Sequence, residues 1–409
     1  MDKQAAYKRN IKKHLYFSKA LSCADLSLLT QKSLPLTTRV LNELMEEGSV
    51  VETGLALSTG GRRPQMYSLK ADLLYVVSVA MDQLITRIAM LDMHNNIVGP
   101  AEKFDLVLSN NADALAELTQ HIKEFITHSG IDENKIAGIG IGMPGFVDFT
   151  KGINHSFLKT KEGSIVKFIE TRVGLPVLID NDSSLIALAE LKLGEGLHNK
   201  NVMVINISWG VGLGIILNGK IFRGASGFAG EFSHIPLFTN NKLCSCGKLG
   251  CLETETSMVV LAEKAVQGLK EGKQSSLKNL VLTNIEETTR QIIDAANSGD
   301  KYAVELFSEA GYNIGRGVAI LIHLLNPELV VLSGRGAAAG RLWLAPIQQA
   351  INEHCIPKIA EKTEVKISSI GQQAELIGAA ALVMEHYDRI SPMQHKKSSH
   401  ILSELPSKN

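Results

Sequence analysis

The chain lacks net charge: its 409 residues hold 42 Lys or Arg against 42 Asp or Glu, so a surface that binds polyanions everywhere is excluded. It also lacks any run approaching the roughly eighteen apolar residues of a membrane-spanning helix. The opening MDKQAAYKRNIKKHL has none of the apolar block of a secretory signal. A cytoplasmic protein with no membrane partner is the expectation. Cysteine is scarce, five residues in all, and in a reducing compartment clustered thiols are read as metal ligands before disulfides. What the chain has in plenty is apolar content, 45% of its residues. That is enough to bury cores in the roughly two to four folded units its length allows.

The neutral total conceals an uneven distribution. Residues 1–70 carry eleven Lys or Arg against six Asp or Glu, and the remainder is acidic by the same excess. A basic head on an acidic body directs the search for a nucleic-acid contact to the head. There Leu26 and Leu29 stand one turn apart, Gln31–Leu34 interrupts, and Pro35 opens a second helix with Val40, Leu41 and Leu44 as its apolar stripe. Pro35 suits a first-turn position, where a missing N–H costs nothing, and Gly48 suits the stop. The outward face offers Thr38, Arg39 and Asn42, the hydrogen-bonding groups that a recognition helix inserts into a major groove. Two short strands, Ser49–Thr53 and Gln65–Leu69, flank Gly60-Gly61-Arg62-Arg63-Pro64. In that loop the glycines permit close approach, and Arg62 and Arg63 reach phosphate or a narrow minor groove. The pattern predicts a winged helix-turn-helix on operator DNA; a helical cap with a surface hairpin is the alternative.

From Leu73 onward strands and helices alternate, which predicts an α/β body. Strands are expected at Leu74–Ala80, Thr86–Asp92, Ile136–Gly142, Val177–Ile179, Val202–Ile207 and Leu329–Leu332, another after the Asn95-Asn96 turn, and a helix over Ala112–Thr127. Several strands end in polar or glycine-rich turns, where ligands gather in such sheets. One loop, HIPLFTNNKLCSCGKLGCLE, gathers three of the five cysteines behind a histidine. His234, Cys244, Cys246 and Cys251 form a Cys₃His set that closes a tetrahedron around zinc and leaves no position vacant, so the metal is structural. Small buried core cysteines are the other reading. Cys23 and Cys355 stand alone as ordinary thiols.

Several motifs together resemble the signature set of the ROK family of repressors, open reading frames and sugar kinases. They are Asp180-Asn181-Asp182 before a helix, Gly210-Val211-Gly212-Leu213-Gly214 at a hairpin, Gly230-Glu231-Phe232-Ser233-His234, the cysteine loop, and Gly334-Arg335-Gly336 after a strand. The resemblance runs from about Leu73 to Tyr387, and the head is similar to that of the repressor branch, such as the xylose- and N-acetylglucosamine-responsive regulators. It implies an α/β protein in which a winged helix-turn-helix, residues 1–70, precedes a two-lobed actin-like sugar-kinase fold of the ribonuclease H-like, hexokinase-type ATPase kind. The first lobe is expected at 71–190, joined by a C-terminal helix over about 374–390, and the second, with the zinc loop, at 191–373. A polar tail, 391–409, is expected to be disordered. The resemblance further implies that Gly145, Asn181, Asp182, Glu231, His234 and Glu253 line a sugar pocket, with Asp182 the base of a kinase and His234 shared between sugar and zinc.

Phosphoryl transfer requires the γ-phosphate and magnesium to be held in line. The family's kinases do this with Asp-x-Gly-x-Thr, but here Ala80 takes the place of the aspartate and Asp82 that of the glycine. A carboxylate roughly 4 Å from a triphosphate in a partly buried site costs about 4 kcal/mol. Trp209 replaces a small hydroxyl in the second phosphate turn, and Arg335 replaces a glycine between Gly334 and Gly336, which then serve close packing. No ATP is expected. On the sugar side, the segment after Gly152 reads Asn154-His155-Ser156-Phe157 without the family's Trp, and the sugar stays open. The sequence therefore reads as a repressor-type regulator and not an enzyme, Asp182 being a vestigial base, a helix cap, or both. A sugar or sugar phosphate is its effector, and its body forms a homodimer or homotetramer. The alternatives are an ATP-dependent sugar kinase with an accessory head, and a DNA-binding protein whose body binds another protein.

Overall fold

The computed structural model describes residues 3–57 and 63–388. Tyr7, Ile11 and Leu15, spaced four apart, set one apolar face of helix α1 (Lys3–Ser18), which packs on the rest of the head. The sequence reading missed this helix because its apolar residues are thinly spread among lysines. After strand β1 (Leu21–Ser22), a capping box formed by Ser22 and Asp25 starts α2 (Cys23–Thr30). Gln31, in the left-handed region at φ 54°, ends it. Helix α3 (Leu34–Glu46) carries Pro35 in its first turn and buries Thr37, Val40, Leu41 and Leu44, as the stripe predicts. Tyr7 holds the three helices together through its hydroxyl, 2.7 Å from Thr37 Oγ1 and 3.2 Å from Thr30 Oγ1. Of the two leucines assigned to the first helix, Leu26 is buried, but Leu29 is exposed because it lies a quarter-turn off the packed face. Strands β2 (Val50–Leu55) and β3 (Gln65–Leu69) form the wing hairpin, and with β1 a sheet of order β1-β3-β2. The Gly60-Gly61-Arg62 tip and the tail beyond 388 lie outside the described residues.

The first lobe is built on β4 (Tyr75–Met81), β5 (Ile85–Leu91), β6 (Ile97–Asp105), α4 (Ala114–Ser129) and β7 (Ile136–Met143). The small hairpin β8 (Val147–Asp148) and β9 (Ile153–Asn154), α5 (Ile165–Val173) and β10 (Val177–Asn181) follow, and α6 (Asp182–Leu193) leads out. Its sheet runs β10-β7-β4-β5-β6, antiparallel through β4, β5 and β6 and parallel from β4 to β7 to β10.

The second lobe contains β11 (Val202–Ile207), β12 (Val211–Leu217), β13 (Lys220–Ile221), α7 (Glu253–Thr256), α8 (Met258–Lys270), α9 (Ile285–Asn297) and α10 (Lys301–Leu325). It continues with β14 (Leu329–Ser333), α11 (Leu344–His354), α12 (Pro357–Ala360) and β15 (Glu364–Ile367). Helix α13 (Ala374–Glu385) then returns to the first lobe and packs on β4, β7 and α6. The second sheet, β13-β12-β11-β14-β15, repeats the first: an antiparallel meander, then two parallel strands. That duplication, invisible as sequence repeat, is the actin-like architecture.

The glycine motif expected at a hairpin runs into the second strand of the β11–β12 pair. Gly212 and Gly214 lie inside strand β12, where a Cβ would come 2.0 Å from Ser183 Oγ and 2.3 Å from the Ala187 side chain. Their missing side chains let α6 lie directly on the second sheet.

Alternation within β4 divides the first core. Val77, Val79 and Met81 face α4 and α5, whereas Val76 and Ala80 join Leu376, Ala380 and Val383 of α13. The latter cluster is continuous with Ile11, Leu15, Leu26, Val40, Leu41 and Leu44 of the head. Head and first lobe thus share a core. Polar contacts reinforce the junction: Lys13 Nζ donates to the Glu385 carbonyl at 2.5 Å, Lys192 Nζ lies 3.1 Å from Glu385 Oε2, and the same ammonium stands 5.1 Å from the Phe17 ring centre.

Candidate functional site

The carboxyl end of β10 and the start of α6 form the floor of the interlobe cleft. Asn181, not Asp182, is the helix cap: its Oδ1 accepts from Ser183 N and Ser184 N, while its Nδ2 donates to Gly145 O at 3.2 Å. Asp182, the first helical residue, is left pointing into the cleft, its Oδ1 accepting from Ser183 N at 2.8 Å and its Oδ2 from Asn206 Nδ2 at 3.3 Å. Burial pushes its carboxyl up to about 6, against the pull of the Ser183 donors and with help from the charges of Asp82 and Glu231. Asp180, one residue before Asn181, is buried and paired at 2.5 Å with Arg223, which reaches across from the second lobe. The sequence offered one signal for that pair, an acid at a position where β10 is otherwise apolar.

Opposite Asp182 stand the residues of the second lobe. His234 Nε2 is 3.6 Å from Glu231 Oε2, and its Nδ1 is 4.0 Å from Glu253 Oε2 and 3.5 Å from Cys244 Sγ. Burial raises both Glu231 and Glu253, with His234 opposing in each case. Cys246 and Cys251 sulfurs are 3.7 Å apart, and the four ligand atoms of His234, Cys244, Cys246 and Cys251 lie within 4.8 Å of one another. Sulfurs at about 2.3 Å from a common tetrahedral ion sit roughly 3.8 Å apart, so the set fits zinc. Crowding supports the same reading: burial, then hydrogen bonds to Cys246 and Cys244, push the Cys251 thiol up to about 12, a penalty that a divalent cation relieves. The four residues fit a closed zinc site, and the imidazole edge not facing sulfur is turned toward Glu231.

The cleft beyond Asp182 is closed by Asp82, Trp209 and Arg335. Asp82 Oδ2 accepts from Trp209 Nε1 at 2.9 Å and from Arg335 Nη2 at 3.0 Å, and the Arg335 guanidinium lies 4.8 Å over the Trp209 ring. Arg335 also reaches Glu286 at 3.5 Å, and Glu286 pairs with Lys103 of the first lobe. Asp82, Trp209 and Arg335, remote in sequence, make one interlobe latch. Behind it a cavity of about 30 Å³ is bounded by Asp182, Asn206, Arg335, Arg87 and Glu375. Glu375 opens α13; burial pushes it up to about 8 although Arg87 pairs with it at 3.2 Å, and the Asp182 charge adds to the rise. Sequence reasoning missed Glu375 and Arg87. The available signal was an acid at the head of an almost wholly apolar helix.

In the head, Thr38, Arg39 and Asn42 lie together on the exposed face of α3. Arg63 is engaged otherwise than expected, donating from Nε to Ala56 O at 2.5 Å and from Nη2 to Leu55 O at 3.2 Å, which pins the base of the wing. Among the described residues no helix is long and apolar enough to cross a membrane.

Comparison with known proteins agrees with this arrangement. The chain is 35% identical over 298 residues to a glucokinase of Halalkalibacterium halodurans, covering 70% of this chain and 86% of that protein. It is 28% identical over 374 residues to the xylose repressor of Caldicellulosiruptor bescii, covering 90% and 92%. Among solved structures, a ROK family transcriptional regulator homologous to the Escherichia coli MLC protein superposes with a TM-score of 0.74 at 26% identity, over 93% of this chain and 97% of that one. The ROK family profile itself matches residues 86–386. Two duplicated lobes, a zinc-type loop against the cleft and that match over most of its length establish that the chain belongs to the ROK family.

Proposed function

We propose that the protein is a sugar-responsive, DNA-binding transcriptional repressor, its kinase-type body acting as the receptor for a sugar or sugar phosphate. The xylose repressor and the ROK regulator match head and body together, over 90% and 93% of the chain. The observation that carries the reading is the Asp82–Trp209–Arg335 latch: three of the four residues read as departures from the kinase pattern bond to one another across the cleft. Asn181, Asp182, Glu231, His234 and Glu253 then take sugar hydroxyls, beside the turn that Gly145 makes at a positive φ and against Ser156. Zinc, when held by His234, Cys244, Cys246 and Cys251, is structural and stiffens the loop that spaces Glu231 from Glu253.

The response follows from the packing. Helices α6 and α13 begin at the cleft, at Asp182 and Glu375, and end at the head, at Lys192 and Glu385. Sugar bridging the lobes reorients the second lobe against a first lobe that carries the head, and two heads of a homodimer or homotetramer no longer match the operator's half-site spacing. Effector affinity must differ between the two arrangements for any response to arise. Thr38, Arg39 and Asn42 meet base edges, and the wing, its base pinned by Arg63, approaches the backbone. The test is a gel-shift titration of operator DNA with candidate sugars; unchanged DNA affinity with every sugar overturns the proposal.

A second reading, an ATP-dependent sugar kinase with an accessory head, is favoured by one observation: Asp182, pushed up to about 6, is poised as a general base. Coupled ATP turnover with a panel of hexoses separates the two, since the repressor reading predicts none above background.

A further inference from the structure

Three aromatic rings meet where the two lobes face each other. Phe146 follows Gly145 on the first lobe and is 42% exposed. His155, also exposed, leaves the β8–β9 hairpin, and Phe228 precedes Glu231 by one short turn on the second lobe. The Phe228 ring centre is 5.3 Å from that of Phe146, inclined at 64°, and 5.7 Å from that of His155, inclined at 85°. Edge-on contacts of this kind leave part of each ring face open.

The rings are held by the frame that holds the sugar pocket. Phe146 N donates to Ser156 Oγ at 2.9 Å, and His155 N donates to Phe146 O at 2.8 Å. Buried Asn154 fixes both segments, its Nδ2 donating to Pro144 O and its Oδ1 accepting from Ser156 N and Phe157 N. Asn181 anchors the adjoining Gly145 carbonyl. The cluster is therefore preorganised, spans both lobes, and sits one residue from Gly145 and three from Glu231. Sugars present two chemistries: equatorial hydroxyls at the rim, which carboxylates and amides take, and apolar C–H faces, which lie on aromatic rings. The half-exposed Phe146 face offers an apolar surface of the second kind, separate from the polar set.

We propose that Phe146, Phe228 and His155 form an aromatic subsite extending the sugar pocket, and that the effector is a disaccharide whose second ring lies on them. This rests on the reading of the Asp182, Glu231 and His234 pocket as a sugar site. The experiment is calorimetry of the full-length protein with xylose and xylobiose, glucose and cellobiose, and N-acetylglucosamine and chitobiose. In at least one pair the disaccharide is expected to bind about tenfold tighter than its monosaccharide. Phe228→Ala and Phe146→Ala, with circular dichroism unchanged, should erase that gain and leave monosaccharide affinity within about threefold, while Phe228→Tyr, which keeps the ring, retains it. Equal affinities within every pair, or equal losses for both partners in Phe228→Ala, overturn the subsite while leaving the pocket standing. Binding of none of the six overturns the subsite and, with it, the reading of the pocket as a receptor for these unphosphorylated sugars.

Discussion

Removing the guanidinium of Arg335 is the sharpest perturbation of the interlobe latch. Its Nη2 lies 3.0 Å from Asp82 Oδ2, and the two side chains are 15% and 18% exposed. At that separation and an effective dielectric near 20 the attraction is about 5 kcal/mol, and desolvation of both ions offsets a large part of it. Trp209 Nε1 remains on the same carboxylate oxygen at 2.9 Å, so Asp82 is not stranded when the arginine is lost. A net coupling of about 2 kcal/mol between Asp82 and Arg335 is therefore expected, in the range of well-ordered charge pairs. Arg335→Met keeps an aliphatic stem against the indole and isolates the charge; Asp82→Asn keeps an acceptor for the indole N–H. Urea titrations of the two single variants and the double variant give the coupling directly. Single effects that add within about 0.5 kcal/mol would show that the three altered turns are merely neighbours and that nothing there ties the lobes.

Other expectations follow from the same geometry. Sugar affinity should fall as pH drops through about 6, because Asp182 must be ionised to accept a hydroxyl proton, and Asp182→Asn should flatten the profile. The same raised carboxyl makes its contribution to stability greatest below its unfolded value of 3.8 and progressively lost as pH rises through about 6, which acid-range urea melts of wild type and Asp182→Asn will reveal. Cys246→Ser, or chelation of the wild type, should abolish stoichiometric zinc by elemental analysis and lower Tm by several degrees; an unchanged Tm would deny the metal a structural role. Arg39→Ala should weaken operator binding by about tenfold or more in a gel shift, with unchanged sugar affinity. Lys192→Ala should cost no more than about 1 kcal/mol of stability, since its ion pair is partly exposed, yet blunt the sugar-induced change in operator affinity.

Elements with a strong local period were legible in the sequence. The apolar run of β11 was placed to the residue, and the stripe of Val40, Leu41 and Leu44 defined α3. The cluster of His234, Cys244, Cys246 and Cys251 was legible because its members lie close together along the chain. What escaped depends on pairing over distance. The repetition of sheet order in the two lobes is a property of which strands neighbour which, and no residue of β4 or β11 announces it. Asp82, Trp209 and Arg335 each appeared as a defect in a phosphate turn, and only the closed cleft turns three defects into one contact. Arg63 looked available to DNA because a sequence does not show the carbonyls of Leu55 and Ala56 waiting for it. Glu375 escaped because its partners, Arg87 and Asp182, belong to elements far back along the chain.

The sharing of one apolar cluster by head and first lobe constrains how such proteins can be recombined. A cut at residue 70 leaves Val76, Ala80, Ala89 and Leu91 without the α1 and α3 side chains that complete their cluster, and leaves Ile11 and Leu15 equally bare on the excised piece. Grafting a foreign head onto this body therefore means redesigning both faces of that seam. For the same reason DNA specificity and effector specificity in this chain would have to diverge in step at the seam, while remaining free to vary at their outer surfaces.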